Sequence, residues 1–238
     1  GKVRNYKKFI YNSFCFWQND LFIFSQLDEE KHCFIRSYKG KENLIEKDCC
    51  IKIAKPNTIK NEVELEEKAE FAIYPYSIKD GKIEVIEENT FKRKYPNAYD
   101  FLYENKEELE SRDKGKGNYP VWYAYGRTQG LNNQGYKLLI PYMSGEAIAV
   151  LSLDPELLFY CGYAIISDNI DELKLLRLFL KSKIFWYYLC KTSKPYAKGY
   201  MSLAKNYIAG FSIPELSEDE KEELFNIDNQ KDRDVWIC

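Results

Sequence analysis

The chain has 238 residues, a net charge of −2, and 45% hydrophobic against 30% charged residues. This describes a globular protein long enough to bury a core without staples, and it excludes a disordered or collagen-like chain. No run approaches the roughly 18 apolar residues of a membrane span. The opening Lys2, Arg4, Lys7 and Lys8 lack the order of a secretory signal, so a cytoplasmic protein without a membrane partner is expected.

In chain order, short apolar runs separated by turn-formers predict strands at Leu21 to Ser25, Cys33 to Tyr38, Cys49 to Ala54, Glu70 to Tyr76 and Lys82 to Glu87, with Lys79-Asp80-Gly81 as a hairpin turn. From Pro96 the period changes: Ala98, Phe101, Leu102 and Leu109 among Glu and Lys predict an amphipathic helix that stops near Gly115. Strands are expected again at Tyr119 to Tyr125, Lys137 to Tyr142, Glu146 to Leu153 and Phe159 to Ser167. Asp168 or Asn169 then caps a helix running to about Lys191, largely apolar except for a stripe of Lys174, Arg177 and Lys181, with Lys183 unexplained on the opposite side. A short helical piece around Leu203 to Ala209 and a charged helical tail from Ser217 complete the reading.

The expected fold is α+β: a β-rich N-terminal part with a mixed or antiparallel sheet, and a helical C-terminal part around one long buried helix. Its domain organisation is one body over residues 1–214, β-rich over about 1–95 and mixed over about 96–214, followed by a charged helix and tail over 215–238.

Several chemistries lose their support. Seven cysteines without a Cys-x-x-Cys pair and a single histidine, His32, give neither a disulfide framework nor a zinc site. There is no Gly-x-Gly-x-x-Gly, no phosphate-binding loop and no Gly-x-Ser-x-Gly elbow. Glu66-Glu67-Lys68 has a nuclease-like spacing but lacks an upstream Pro-Asp in strand context, and reads better as a solvated turn. No catalytic residue and no metal ligand is assigned.

Two segments stand out. In Trp122-Tyr123-Ala124-Tyr125-Gly126-Arg127-Thr128-Gln129 an aromatic run ends in glycine and delivers Arg127, Thr128 and Gln129 together. Arginine offers a bidentate fork to guanine, and glutamine a donor–acceptor pair to adenine. The second lies in a stretch from Leu173 to Gly210 that carries Lys174, Arg177, Lys181, Lys183, Lys191, Lys194, Lys198 and Lys205 and no acidic residue. In it Lys194, Lys198 and Lys205 suit phosphates, the Ser193 and Ser202 hydroxyls suit phosphate oxygens, and Tyr196 and Tyr200 suit sugar or base. Both segments together predict one positive cleft for double-stranded DNA. An alternative from another class is an assembly domain whose aromatics anchor a partner protein without touching DNA.

In this order and spacing the two segments resemble the C-terminal specificity domain of TaqI-like adenine-N6 DNA methyltransferases, including the fused restriction and modification enzymes of type IIG. Tyr74-Pro75-Tyr76, Asp80-Gly81-Lys82, Lys94-Tyr95-Pro96-Asn97-Ala98-Tyr99 and Glu107-Glu108-Leu109-Glu110-Ser111-Arg112 extend the resemblance upstream. It departs where paired glycines are usual, since Lys198-Gly199-Tyr200 stands here, and where Phe211-Ser212-Ile213-Pro214 replaces Leu-Pro-x-Pro. The resemblance implies sequence-specific recognition of double-stranded DNA. It places S-adenosylmethionine, the Asn-Pro-Pro-Tyr motif and the chemistry in a catalytic domain of the same parent protein, since neither the cofactor loop nor that motif occurs in this sequence. No cofactor is therefore expected on this chain.

Overall fold

The structure is a computed structural model, and it describes residues 3–4, 10–12, 19–25, 28–30, 32–80, 82–126, 128 and 130–237. It is α+β, with strands concentrated in the N-terminal part and helices towards the C-terminus. The chain forms two compact units, each discontinuous in sequence: residues 14–54 with 68–132, and residues 1–13 with 55–67 and 133–238.

The first of these units holds an antiparallel ribbon in which Cys33–Tyr38 pairs with both Asp28–Glu30 and Lys41–Glu46. Strand Glu70–Ile73 pairs antiparallel with Cys50–Ala54 and with Ile23–Phe24. The expected hairpin forms with Lys79 opposite Lys82, which leaves a two-residue turn. Asp80 takes a φ of 51° there, as the twist of such turns requires; Gly81 lies outside the described residues.

Helix Pro96–Glu104 starts under Glu46, whose carboxylate accepts from the Asn97 and Ala98 amides at 2.8 and 2.9 Å. This supplies the partners that the first turn of a helix lacks. The amphipathic helix expected from Pro96 is in fact two, broken at Asn105 and resumed as Lys106–Glu110. Phe34, Phe91, Phe101, Leu102, Tyr123 and Tyr125 are all buried in this unit.

In the second unit, Tyr136–Ile140 runs antiparallel to both Val150–Ser152 and Tyr163–Ser167, and the latter pairs with Ile10–Asn12. One face of this sheet joins a core that includes Leu138, Ile140, Ile165, Leu173, Leu176, Phe179, Phe185 and Leu189. Asn169 caps the helix Ile170–Leu180, its side chain accepting from the Asp171 and Glu172 amides.

The helix expected to continue to about Lys191 is divided. Ser182, 1% exposed, donates to the Phe179 carbonyl at 2.6 Å and accepts from the Phe185 amide at 3.2 Å. One hydroxyl thus closes the first helix and caps a second, Lys183–Thr192. The break accounts for Lys183: it opens the new helix and its side chain points to solvent, 3.9 Å from Asp234.

The charged tail has a stronger claim on the core than its composition suggests. Ser217 and Glu220 form a reciprocal capping box on Glu218–Asn226, and Leu224 is fully buried. In the last helix, Gln230–Ile237, buried Asp234 accepts from the Lys183 amide at 2.9 Å.

Candidate nucleic-acid interface

The Tyr119 to Tyr125 segment is not a strand, which corrects the expectation. Two of its carbonyls, those of Trp122 and Ala124, are taken by a side chain instead. Arg112, 1% exposed, donates to the carbonyls of Leu109, Ala124 and Trp122 at 2.6, 2.7 and 2.5 Å, and its guanidinium carbon sits 4.1 Å from the centre of the Tyr119 ring.

The tyrosines of this segment are equally committed. Tyr123 donates to the Ile86 carbonyl at 2.7 Å, Tyr125 donates to the Ile73 carbonyl, and the Tyr125 amide donates to the Tyr76 hydroxyl at 2.6 Å. Burial pushes the Tyr123 phenol up to about 12 and the Tyr125 phenol well above its ordinary value. Tyr123 and Tyr125 are buried, whereas Tyr119 and Trp122 are half-buried. Beyond them Thr128 is exposed, with its carbonyl accepting from the Leu131 amide at 3.1 Å; Arg127 and Gln129 lie outside the described residues.

The second segment is organised differently. Residues 194–202 fold back as a narrow hairpin: the Ser202 amide donates to the Lys194 carbonyl at 2.9 Å, Pro195 bridges Met201, and the Tyr196 amide donates to the Tyr200 carbonyl at 2.7 Å. Its tip is the turn Ala197–Gly199. Lys198 and Gly199 both take left-handed backbone, with φ of 62° and 76°. Two glycines would adopt that conformation freely, so the departure from paired glycines leaves the turn intact and puts a cation on it.

The hairpin stands on Met143–Ser144, which pairs antiparallel with Met201–Ser202, and the Leu203 amide donates to the Tyr142 carbonyl at 2.9 Å. The Tyr200 ring lies over Gly145, where an added methyl would meet it at 3.8 Å.

Every residue from Lys194 to Tyr200 is exposed. The helix leading into the hairpin continues the surface with Tyr187, 64% exposed, and Lys191, whose ammonium lies 5.4 Å from the Tyr187 ring centre. Lys194 stands likewise 5.4 Å from the Tyr196 ring. Tyr187 and Lys191 were absent from the sequence-derived set; their spacing marks one helix face once the break at Ser182 fixes the phase.

The basic stretch separates into two kinds of cation. Lys174 pairs with Asp171 at 3.1 Å and Arg177 with Glu62 at 2.8 Å, while Lys181 is half-buried and pushed down by desolvation. The stripe on helix Ile170–Leu180 is therefore neutralised or buried. Ser202 and Lys205 are not brought to the exposed surface either. Ser202 is 7% exposed with its hydroxyl accepting from the Ala204 amide and its carbonyl from Ser193, and the Lys205 ammonium donates to the Ile10 carbonyl at 2.5 Å. Among the described residues, Lys191, Lys194 and Lys198 have no carboxylate within ion-pair distance.

No group of three or more His, Cys, Asp or Glu side chains able to hold a metal occurs among the described residues, and no helix there is long and apolar enough to cross a membrane. No protein-family model matches the chain. A stretch of 67 residues, 26% of this chain, is 36% identical to the type II restriction enzyme and methyltransferase RM.Eco57I of Escherichia coli. It covers 7% of that protein, so the chain spans only a small part of the relative's length. Over that stretch the chain is related to a protein of restriction and modification.

Proposed function

We propose that this chain is a DNA target-recognition module of an adenine-N6 methyltransferase in a restriction–modification system, acting in the cytoplasm. It grips double-stranded DNA, while S-adenosylmethionine and the methyl transfer belong to a catalytic domain of the same parent protein.

One observation carries the reading: Lys191, Lys194 and Lys198 stand exposed and without a carboxylate partner beside the exposed rings of Tyr187, Tyr196 and Tyr200. A protein surface ordinarily mixes its charges, and a row of exposed lysines without ion-paired carboxylates suits a polyanion. The partial likeness to a restriction and methyltransferase protein supports reading that polyanion as DNA. Arg127, Thr128 and Gln129 are proposed as base contacts on their chemistry alone.

The test is a titration of labelled duplex at two salt concentrations. Three phosphate-bound lysines give a slope of log affinity against log salt of about −2.7. Lys198→Glu weakens binding to every sequence by about tenfold and flattens the slope by about one, whereas Arg127→Ala relaxes discrimination between sites. Salt-insensitive binding to a protein partner, unchanged by Lys198→Glu, overturns the reading in favour of the assembly role.

A further inference from the structure

We infer that Tyr196 and Tyr200 form a stacking platform for an unpaired base, so that the hairpin favours DNA whose base stack is interrupted over a continuous duplex. The inference rests on the DNA-binding reading above and concerns the same hairpin.

The register places Tyr196 directly opposite Tyr200, joined by the 2.7 Å bond from the Tyr196 amide to the Tyr200 carbonyl. Opposed residues leave a ribbon on the same face. Both rings stay exposed, at 41% and 43%, although the other face of the ribbon supplies Met201, 7% exposed, to the interior. Apolar ring surface at a turn tip gains nothing from water. Phosphate contact does not require it either, because a hydroxyl alone serves that purpose.

The flat face of a base is the surface that suits these rings, and in a continuous duplex every such face is already covered by its neighbours. It becomes available where a base is unpaired or has lost its stacking partner. The surroundings fit this use: Lys194 lies 5.4 Å from the Tyr196 ring and Lys198 stands on the tip between the two tyrosines, so a stacked base brings its own phosphates to cations.

The experiment measures binding of the 238-residue chain to one sequence in two forms: a continuous duplex, and the same duplex with an abasic position that leaves one base without a partner. The expected result is about tenfold tighter binding to the abasic form. Tyr196→Ala and Tyr200→Ala each remove most of that preference, weakening binding to the abasic form more than to the continuous duplex. Tyr196→Phe and Tyr200→Phe retain it, because the ring and not the hydroxyl carries the effect.

Equal affinity for both forms overturns the inference while leaving the DNA-binding reading in place. Equal losses on both forms from the alanine and phenylalanine variants do the same, assigning the hydroxyls to phosphates. Absence of binding to either form refutes the DNA-binding reading itself, and this inference with it.

Discussion

The segments 119–125 and 194–202 read alike in sequence, both rich in tyrosine and both next to basic residues, yet they are built on opposite terms. In the first, side chains hold the backbone: Arg112 takes the Trp122 and Ala124 carbonyls and the tyrosine hydroxyls bond to the Ile73 and Ile86 carbonyls. In the second, the backbone holds itself through 194–202, 195–201 and 196–200 contacts, and its lysines and tyrosines are released to solvent. Aromatic and basic composition does not by itself mark a binding surface. What sets the second segment apart is a main chain that satisfies its own hydrogen bonds, so that its side chains need not do so.

The sharpest way to break this contrast is to remove Arg112. Arg112→Ala removes a side-chain donor from three carbonyls and empties a buried site, and it should cost about 3 kcal/mol or more in denaturant unfolding. The exposed Lys198→Glu should move stability by no more than about 0.5 kcal/mol in the same assay. Equal effects from the two would show that the regions are not built differently.

Next in size is the alkaline response of the first segment. Tyr123 ionises at about 12 in the folded protein because burial opposes the phenolate, and near 10 when unfolded. Its contribution is fully present below pH ~10 and is lost as the pH rises through about 12. Tyr123→Phe should therefore flatten the fall of the melting temperature above pH ~10, at a cost of about 1 kcal/mol at neutral pH from the lost bond to Ile86.

A backbone substitution tests the hairpin. Gly199 has a φ of 76° and open space where a Cβ would stand, so Gly199→Ala incurs backbone strain alone, about 1 kcal/mol. A much larger loss would mean that the tip is packed and not free.

Much of this architecture was legible where local chemistry decides it. Strand Cys33–Tyr38 carries its own pattern, the turn at Asp80 declares its hairpin, and Asn169 is the cap of the two, Asp168 or Asn169, that the sequence allows. The partner strand Lys41–Glu46 was missed because Ile45 is its one buried side chain and the charged residues around it hide the period. The loop at 119–125 could not be seen, since Arg112 acts across ten residues or more. Nor could the fate of Arg177, whose carboxylate partner Glu62 lies 115 residues away. Within the candidate site, Lys194, Tyr196, Lys198 and Tyr200 were found from charge and aromatic pattern. Ser202 and Lys205 share that pattern, but they stand where the hairpin meets the sheet and are used there.

The hairpin's economy has a practical consequence for anyone who wishes to alter the molecule. Because residues 194 to 200 stay exposed and their turn is closed main chain to main chain, the identities of these side chains are nearly independent of whether the ribbon forms, apart from the left-handed pair at its apex. A library randomised across those positions other than 198 and 199 should yield mostly folded members, which makes this short stretch the natural place to install new contacts.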